Sequence, residues 1–208
     1  MAVTGKDKVF VVNENTNTKY GGVDPTGSFQ TVDELRGYKV YTALLTQSGG
    51  DGFIEITSGL LTVGVSYNIT ASSTGDDFRN VGGPLITTDD EFLETYFVAT
   101  GTTPTNWTNE TVLGYNTGAP VVTALENTIG NIWFIYESIG AYYAVSNALF
   151  PGDKTTCITS QSAYEDTGVT FIYVDTENKI AIETGGFDTP GGADDILART
   201  MLEIRVYN

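Results

Sequence analysis

The stretch "YKVYTALLTQSGG", residues 38–50, is the most regular part of the 208-residue sequence. It opens on aromatic and β-branched residues and ends in a Ser-Gly-Gly turn. Two sets of side chains alternate along it, namely Val40, Thr42 and Leu44 in one set and Lys39, Tyr41 and Ala43 in the other. A period of two that is closed by glycine is typical of a β-strand. We therefore predict a scaffold strand over residues 38–46.

Similar runs recur about every ten to fifteen residues, each bounded by Gly, Asn, Asp or Pro. In the last of them, residues 201–207, apolar and charged side chains alternate, which predicts a half-buried strand in an antiparallel sheet. The spacing predicts an all-β fold, an antiparallel, jelly-roll-like β-sandwich. The predicted strands are 9–12, 38–46, 53–57, 65–70, 95–100, 111–115, 120–125, 131–137, 141–146, 155–159, 169–175, 179–183 and 201–207.

Helical signals are confined to two short stretches. Residues 31–36 have a capping-box order, Thr31 followed by Glu34, and residues 88–94 have acidic residues suited to a helix N-terminus. Neither stretch is long enough to carry a fold. The first 37 residues are polar and poor in large apolar side chains, so we predict an extended N-terminal arm that orders against a neighbour.

The composition bounds the partners of the protein. Hydrophobic residues make up 40% of the chain, enough for a core, and the net charge of −16 repels phosphate backbones and anionic lipid headgroups. We therefore expect neither nucleic acid nor a membrane as a partner. The single cysteine, Cys157, cannot form an internal disulfide and is predicted to be a buried apolar residue. The N-terminus lacks the apolar core of a signal peptide, so no built-in export address is expected.

The residue types argue against common catalytic chemistry. Because the chain has no histidine, Ser-His and Cys-His pairs and zinc sites that use imidazole are excluded. The acidic pairs at residues 76–77, 89–90 and 194–195 lack the alternating order of a calcium loop, so turns and helix N-termini are the preferred interpretation. We predict a protein that is not an enzyme, with no catalytic residues, no metal ligands and no cofactor.

Exposed aromatic residues are the candidates for binding. Trp107, Tyr142 and Tyr143 are candidate platforms on which a sugar ring could stack. The alternative for aromatic residues in strands is a place in the core or in a subunit interface, which we favour.

Three segments carry a family resemblance. They are "YKVYTALLTQSG" at residues 38–49, "GAPVVTALENTIGNIWF" at residues 118–134 and "GAYYAVSNALFPGDKT" at residues 140–155. Together they resemble a recurrent module of structural proteins from tailed phages and related viruses. In that module the first segment runs almost directly into the second, whereas here about seventy residues separate them.

The interruption has a resemblance of its own. "VGVSYNITASSTGDDFRNVGG" at residues 63–83 and "YFVATGTTPTNWTNETVL" at residues 96–113 resemble a second phage-virion repeat. A hairpin loop accepts such an insertion at small entropic cost because its ends stay close. We therefore predict an arm over residues 1–37, a sandwich formed by residues 38–49 and 118–208, and an inserted small β domain over residues 50–117.

The resemblance implies a location and a role. It implies a structural protein of the virion, displayed on a phage capsid or tail as a fibre, knob or decoration subunit. Self-association as a homotrimer and contacts with other virion proteins are the expected partnerships. The alternative is a β module that binds carbohydrate or the host surface, with a host glycan as its partner. A third reading, an enzyme that cleaves polysaccharides, requires paired carboxylates in a cleft.

Overall fold

A computed structural model describes residues 22–23, 29–30, 37–89, 94–160, 168–186 and 192–208. In these ranges the chain is built from antiparallel strands, and the one helix is a single 3-10 turn at Arg79–Val81. The predicted all-β, antiparallel fold is confirmed. No helix in the described ranges is long and apolar enough to cross a membrane.

The strands are numbered in chain order. They are β1 (Gly22–Val23), β2 (Phe29–Gln30), β3 (Tyr38–Thr46), β4 (Phe53–Ile56), β5 (Ser66–Ala71), β6 (Thr95–Val98), β7 (Val112–Asn116), β8 (Val121–Asn127), β9 (Trp133–Ser138), β10 (Ala141–Val145), β11 (Thr155–Thr159), β12 (Gly168–Thr176), β13 (Lys179–Gly186) and β14 (Ala198–Tyr207).

Two four-stranded sheets form the sandwich. One has the order β12-β13-β10-β9 and the other β11-β14-β3-β8. The inward-facing side chains of both sheets meet in one apolar core, which satisfies the rule that a sheet must bury its hydrophobic face against another layer. The first sheet contributes Phe134, Tyr142, Ala144, Ile180 and Ile182, and the second contributes Tyr41, Ala43, Leu45, Val122, Leu202 and Ile204.

The C-terminal strand β14 lies at the centre of its sheet, between β11 and β3. As predicted, Leu202 and Ile204 point into the core, while Glu203 and Arg205 lie on the opposite face and form an ion pair. The end of the chain is held, because the backbone N–H of Asn208 donates to the carbonyl of Gly37.

A third sheet, of order β4-β7-β5-β6, comes from the chain between β3 and β8. Strands β3 and β8 are direct neighbours in the sandwich, and Thr46 pairs with Val121 at the point where the chain leaves and re-enters it. The third sheet is therefore a small β unit inserted into a β3–β8 hairpin. It has its own apolar core, around Tyr67, Phe78 and Phe97.

Some sequence predictions fall outside the described residues. These are the strand at 9–12, the helical stretch at 31–36, residues 90–93 of the stretch at 88–94, and the arm apart from Gly37 and the antiparallel pair formed by β1 and β2.

The inserted unit packs beside strand β9 of the sandwich. The backbone N–H of Phe134 donates to the hydroxyl of Ser66 (2.8 Å), and the ring of Tyr96 stacks on Trp133 with centroids 5.2 Å apart. Side chains on the opposite face of the third sheet fill its own core, so the face that looks toward β9 borders a groove.

Candidate functional site

The sequence motif Asp-Asp-Phe-Arg-Asn-Val-Gly at residues 76–82 organises the inserted unit. Asp76 is fully buried, and its Oδ1 accepts the backbone N–H groups of Thr108 (2.8 Å) and Asn109 (2.9 Å). Its Oδ2 accepts the backbone N–H of Thr111 (3.0 Å). Three donors satisfy a carboxylate that would otherwise be costly to bury. Asp76 is thus committed to closing the loop that precedes β7.

The next residues of the motif fix a second loop. Asp77 accepts hydrogen bonds from the backbone and the guanidinium of Arg79, and the guanidinium bond lowers the pKa of Asp77 from its ordinary 3.8 to about 2. The amide of Asn80 donates to the carbonyl of Thr103 and accepts the N–H of Thr105. The motif that carries the resemblance therefore performs structural work inside the unit.

Trp107, the first predicted sugar platform, belongs to the same unit and is half-buried. Its ring packs edge-on against Phe78 at 5.4 Å, and its indole N–H donates to the carbonyl of Thr111 (2.7 Å). The polar edge of the ring is therefore used within the unit, and the ring itself packs against Phe78.

Tyr142, the second predicted platform, is only 1% exposed and lies in the sandwich core. Its hydroxyl donates to Oδ1 of Asp194 (2.7 Å), and burial together with this carboxylate raises the pKa of Tyr142. A sugar ring cannot stack on a side chain that strands cover on both sides, so burial rules out a glycan contact by Tyr142 in this fold.

Tyr143, the third predicted platform, lies on the outer side of the sheet. Lys179 sits over its ring at 4.7 Å, and its strand neighbours on that side are Ile135 and Ala181. Beyond them, edge strand β12 presents Phe171, which is 60% exposed, and Tyr173. We call the outer side formed by Ile135, Tyr143, Phe171 and Tyr173 the aromatic face.

The acidic pair at residues 194–195 also has structural partners. Asp194 accepts hydrogen bonds from the hydroxyls of Tyr136 and Tyr142 and from the N–H of Gly140, and Asp195 accepts the N–H of Gly49. Across the described ranges, no group of three or more His, Cys, Asp and Glu side chains could hold a metal ion. These carboxylates tie the β9–β10 turn to the end of β3.

A groove with a volume of about 120 Å³ lies between the inserted unit and β9. Its aromatic lining comes from Phe53, Tyr96 and Tyr115 of the third sheet and from Tyr136 of β9. Phe53 is 59% exposed and lies against Gly114, where a Cβ atom would come within 2.3 Å of the phenyl ring. We call this site the groove.

Two amide side chains supply the polar lining of the groove. Asn116 donates to Oδ1 of Asp51 (2.8 Å) and accepts the N–H of Gly118 (2.8 Å), which fixes its orientation. Asn68 Oδ1 is buried and has no hydrogen-bond partner in the described part of the chain. A buried acceptor without a partner costs about 1–3 kcal/mol, so this atom favours any ligand or water that donates to it.

The sequence did not single out the groove residues, although one signal was present. A glycine inside a strand marks a close approach of another group, and Gly114 in β7 receives Phe53 in this way. The role of Asn68 depends on which face of β5 packs toward β9, and this contact joins residues far apart in the sequence.

Comparisons with known proteins add no relative. The chain matches no family model, no curated protein and no solved structure.

Proposed function

We propose that this protein is a non-enzymatic structural protein of a virion, displayed on a phage capsid or tail as a fibre, knob or decoration subunit. The resemblance of its three sandwich segments and of its insertion to phage modules motivates the location. In the fold, the motif residues are engaged in internal hydrogen bonds, as expected for a protein that works by its shape.

The aromatic face is the observation that carries the proposal. It places exposed aromatic rings side by side on the outer side of a sheet, and contiguous exposed apolar side chains mark interaction sites. Phe171 and Tyr173 contribute the most exposed rings. Interfaces are enriched in aromatic side chains, which bury much area at small entropic cost.

Charge favours a second copy of the chain as the occupant of this face. The net charge of −16 makes most of the surface repulsive to another copy. The aromatic face carries both signs, because Lys179 sits over Tyr143 and Glu183 accepts the hydroxyl of Tyr173 (2.6 Å). We propose that copies associate as a homotrimer in which one side of this face packs against the other side of the same face on the next copy, as three-fold symmetry requires.

Sedimentation velocity tests the association. We expect the parent protein to sediment as a trimer and the double variant Phe171→Ala/Tyr173→Ala to sediment as a monomer. Phe53→Ala is the matched control, because Phe53 is equally exposed but lies on the inserted unit. A monomeric parent, or a control that dissociates as readily, would contradict the proposed interface.

The location needs a separate experiment. Antibodies against the folded protein should decorate purified phage particles at regular positions in electron micrographs, and a cryo-EM map should place the sandwich at those positions. Particles that carry no copy of the chain would refute the virion role, whatever its oligomeric state.

A further inference from the structure

We propose that the groove between the inserted unit and strand β9 binds one ring of an uncharged saccharide. Phe53 and Tyr136 would form the walls that contact the ring, and Asn68 and Asn116 would receive its hydroxyl groups. This inference goes beyond the structural role, which requires no ligand, and it uses none of the aromatic residues that the sequence singled out.

The aromatic walls are held in place before any ligand arrives. Phe53 rests against Gly114 while keeping more than half of its surface exposed. Tyr136 donates its hydroxyl to Oδ2 of Asp194 (3.1 Å) and packs edge-on against Tyr142 at 5.8 Å. The apolar face of a sugar ring packs on rings of this kind, and preorganisation reduces the entropic cost of binding.

The polar floor matches the hydroxyl pattern of a sugar. Asn68 lines the groove, and its Oδ1 is a buried acceptor without a partner, so a small rotation of the amide would let a sugar hydroxyl donate to it, directly or through a water. The Nδ2 of Asn116 uses one N–H on Asp51, and its second N–H is available to a sugar oxygen. A few placed polar groups among aromatic walls are the usual composition of a small-molecule site.

Charge and size narrow the ligand class. Asp51 accepts a hydrogen bond from Asn116 beside the groove, and Glu55 pairs with Gly114 of the groove lining. An anionic sugar would therefore be repelled by both carboxylates and by the net charge of the chain. The volume of about 120 Å³ is well below that of pockets that enclose a drug-sized ligand. The groove therefore fits one neutral ring at a time, and several copies on one particle would supply avidity.

Saturation-transfer NMR on the full chain tests this proposal. The probes are the methyl glycosides of glucose, galactose and N-acetylglucosamine, with N-acetylneuraminic acid as the anionic comparison. We expect transfer to at least one neutral glycoside with a Kd of roughly 1 mM or weaker, and none to the anionic sugar. Phe53→Ala and Asn68→Leu should each weaken binding about tenfold, and Phe53→Trp should retain it.

The control is Phe171→Ala, which removes an equally exposed phenylalanine from the aromatic face and should leave saccharide binding unchanged. Thermal melts identify any variant that has lost its fold, and Asn68→Leu tests the groove independently of Phe53. The proposal is overturned if no neutral glycoside receives transfer at about 10 mM, if the anionic sugar binds best, or if Phe171→Ala weakens binding as much as Phe53→Ala does. Sedimentation of Phe53→Ala as a trimer would show that such a failure leaves the proposed assembly intact.

Discussion

The sandwich and the inserted unit bury their cores in different ways. Two sheets enclose the sandwich core, and strands supply eleven of its fifteen buried residues, while Ile129, Ile132, Phe150 and Leu197 come from connecting segments. In the inserted unit one sheet covers one side, and loop residues such as Phe78, Val81 and Ile86 cover the other. Those loops are held by side-chain bonds to the backbone from Asp76 and Asn80. A small unit with half a sandwich thus relies on polar anchors where the larger one relies on a second sheet.

The largest expected loss of stability comes from removing an aromatic ring from the sandwich core. Phe134→Ala should lower the free energy of unfolding by about 3–5 kcal/mol, because it deletes a fully buried side chain between the two sheets. Urea titration measures the loss. Leu125→Ala, which truncates an exposed side chain of β8, is the control and should have little effect. Equal losses from both variants would contradict a core at this place.

The next effect tests whether the polar anchors hold the inserted unit. Asp76→Ala leaves one buried and two partly buried N–H groups without their acceptor and should cost about 3 kcal/mol, with Asp76→Asn costing less. Trp107 fluorescence in a Trp133→Phe background reports on this unit. Asp153→Ala, at an exposed turn, is the control.

The rate at which Cys157 is alkylated shows whether Asp76→Ala also unfolds the sandwich. Its side chain packs against the sandwich core, and burial raises the pKa of its thiol from 9.0 to about 11. The thiolate, which is the form that iodoacetamide attacks, is therefore about a hundredfold scarcer near pH 8 than for an unperturbed thiol. In the Asp76→Ala variant we expect iodoacetamide to alkylate Cys157 slowly, even under conditions where Trp107 fluorescence shows that the inserted unit has unfolded. Fast alkylation would mean that the two regions unfold together.

A smaller effect comes from the second loop anchor. Asn80→Ala removes two hydrogen bonds to the backbone of residues 103–105 and should cost about 1 kcal/mol, since these bonds lie near solvent. The same Trp107 fluorescence measures it. Asn131→Ala, whose amide donates to the carbonyl of Tyr96 between the two regions, is the comparison. A loss that appears only in the sandwich would contradict this assignment.

The smallest effect is a dependence on acid pH. The pKa of Asp77 is about 2 in the folded chain and 3.8 when unperturbed, so its ionised form stabilises the fold above pH 4. This contribution should fall as the pH drops from about 4 to about 2 and be lost below that. The Arg79 side chain is mostly exposed, so solvent screens the pair and keeps the effect small. Asp77→Asn should flatten this part of the stability profile of the inserted unit.

Periodicity was enough to predict the strands, and contacts between distant residues were not. The alternation in residues 38–46 and 201–207 reflects a sheet with one buried face, and the two strands are paired at the centre of one sheet of the sandwich. The third sheet also follows its predicted runs, because Gly, Asn and Pro separate them. The groove lies between Phe53, Asn68 and Tyr136, which three different strands bring together. The core position of Tyr142 agrees with the favoured interpretation of aromatic residues in strands, but the alternation alone could not show which of Tyr142 and Tyr143 faces the other sheet.

The hairpin that carries the insertion has a consequence for engineering and for evolution. Thr46 and Val121 face each other across one strand spacing, and the bond from Thr117 N–H to the carbonyl of Gly52 keeps the two connecting segments together. A foreign domain whose termini lie about 5 Å apart can therefore be spliced at this place without changing the register of the host sheets. Exchange of such a domain between related genes would change the inserted unit and leave the sandwich as it is.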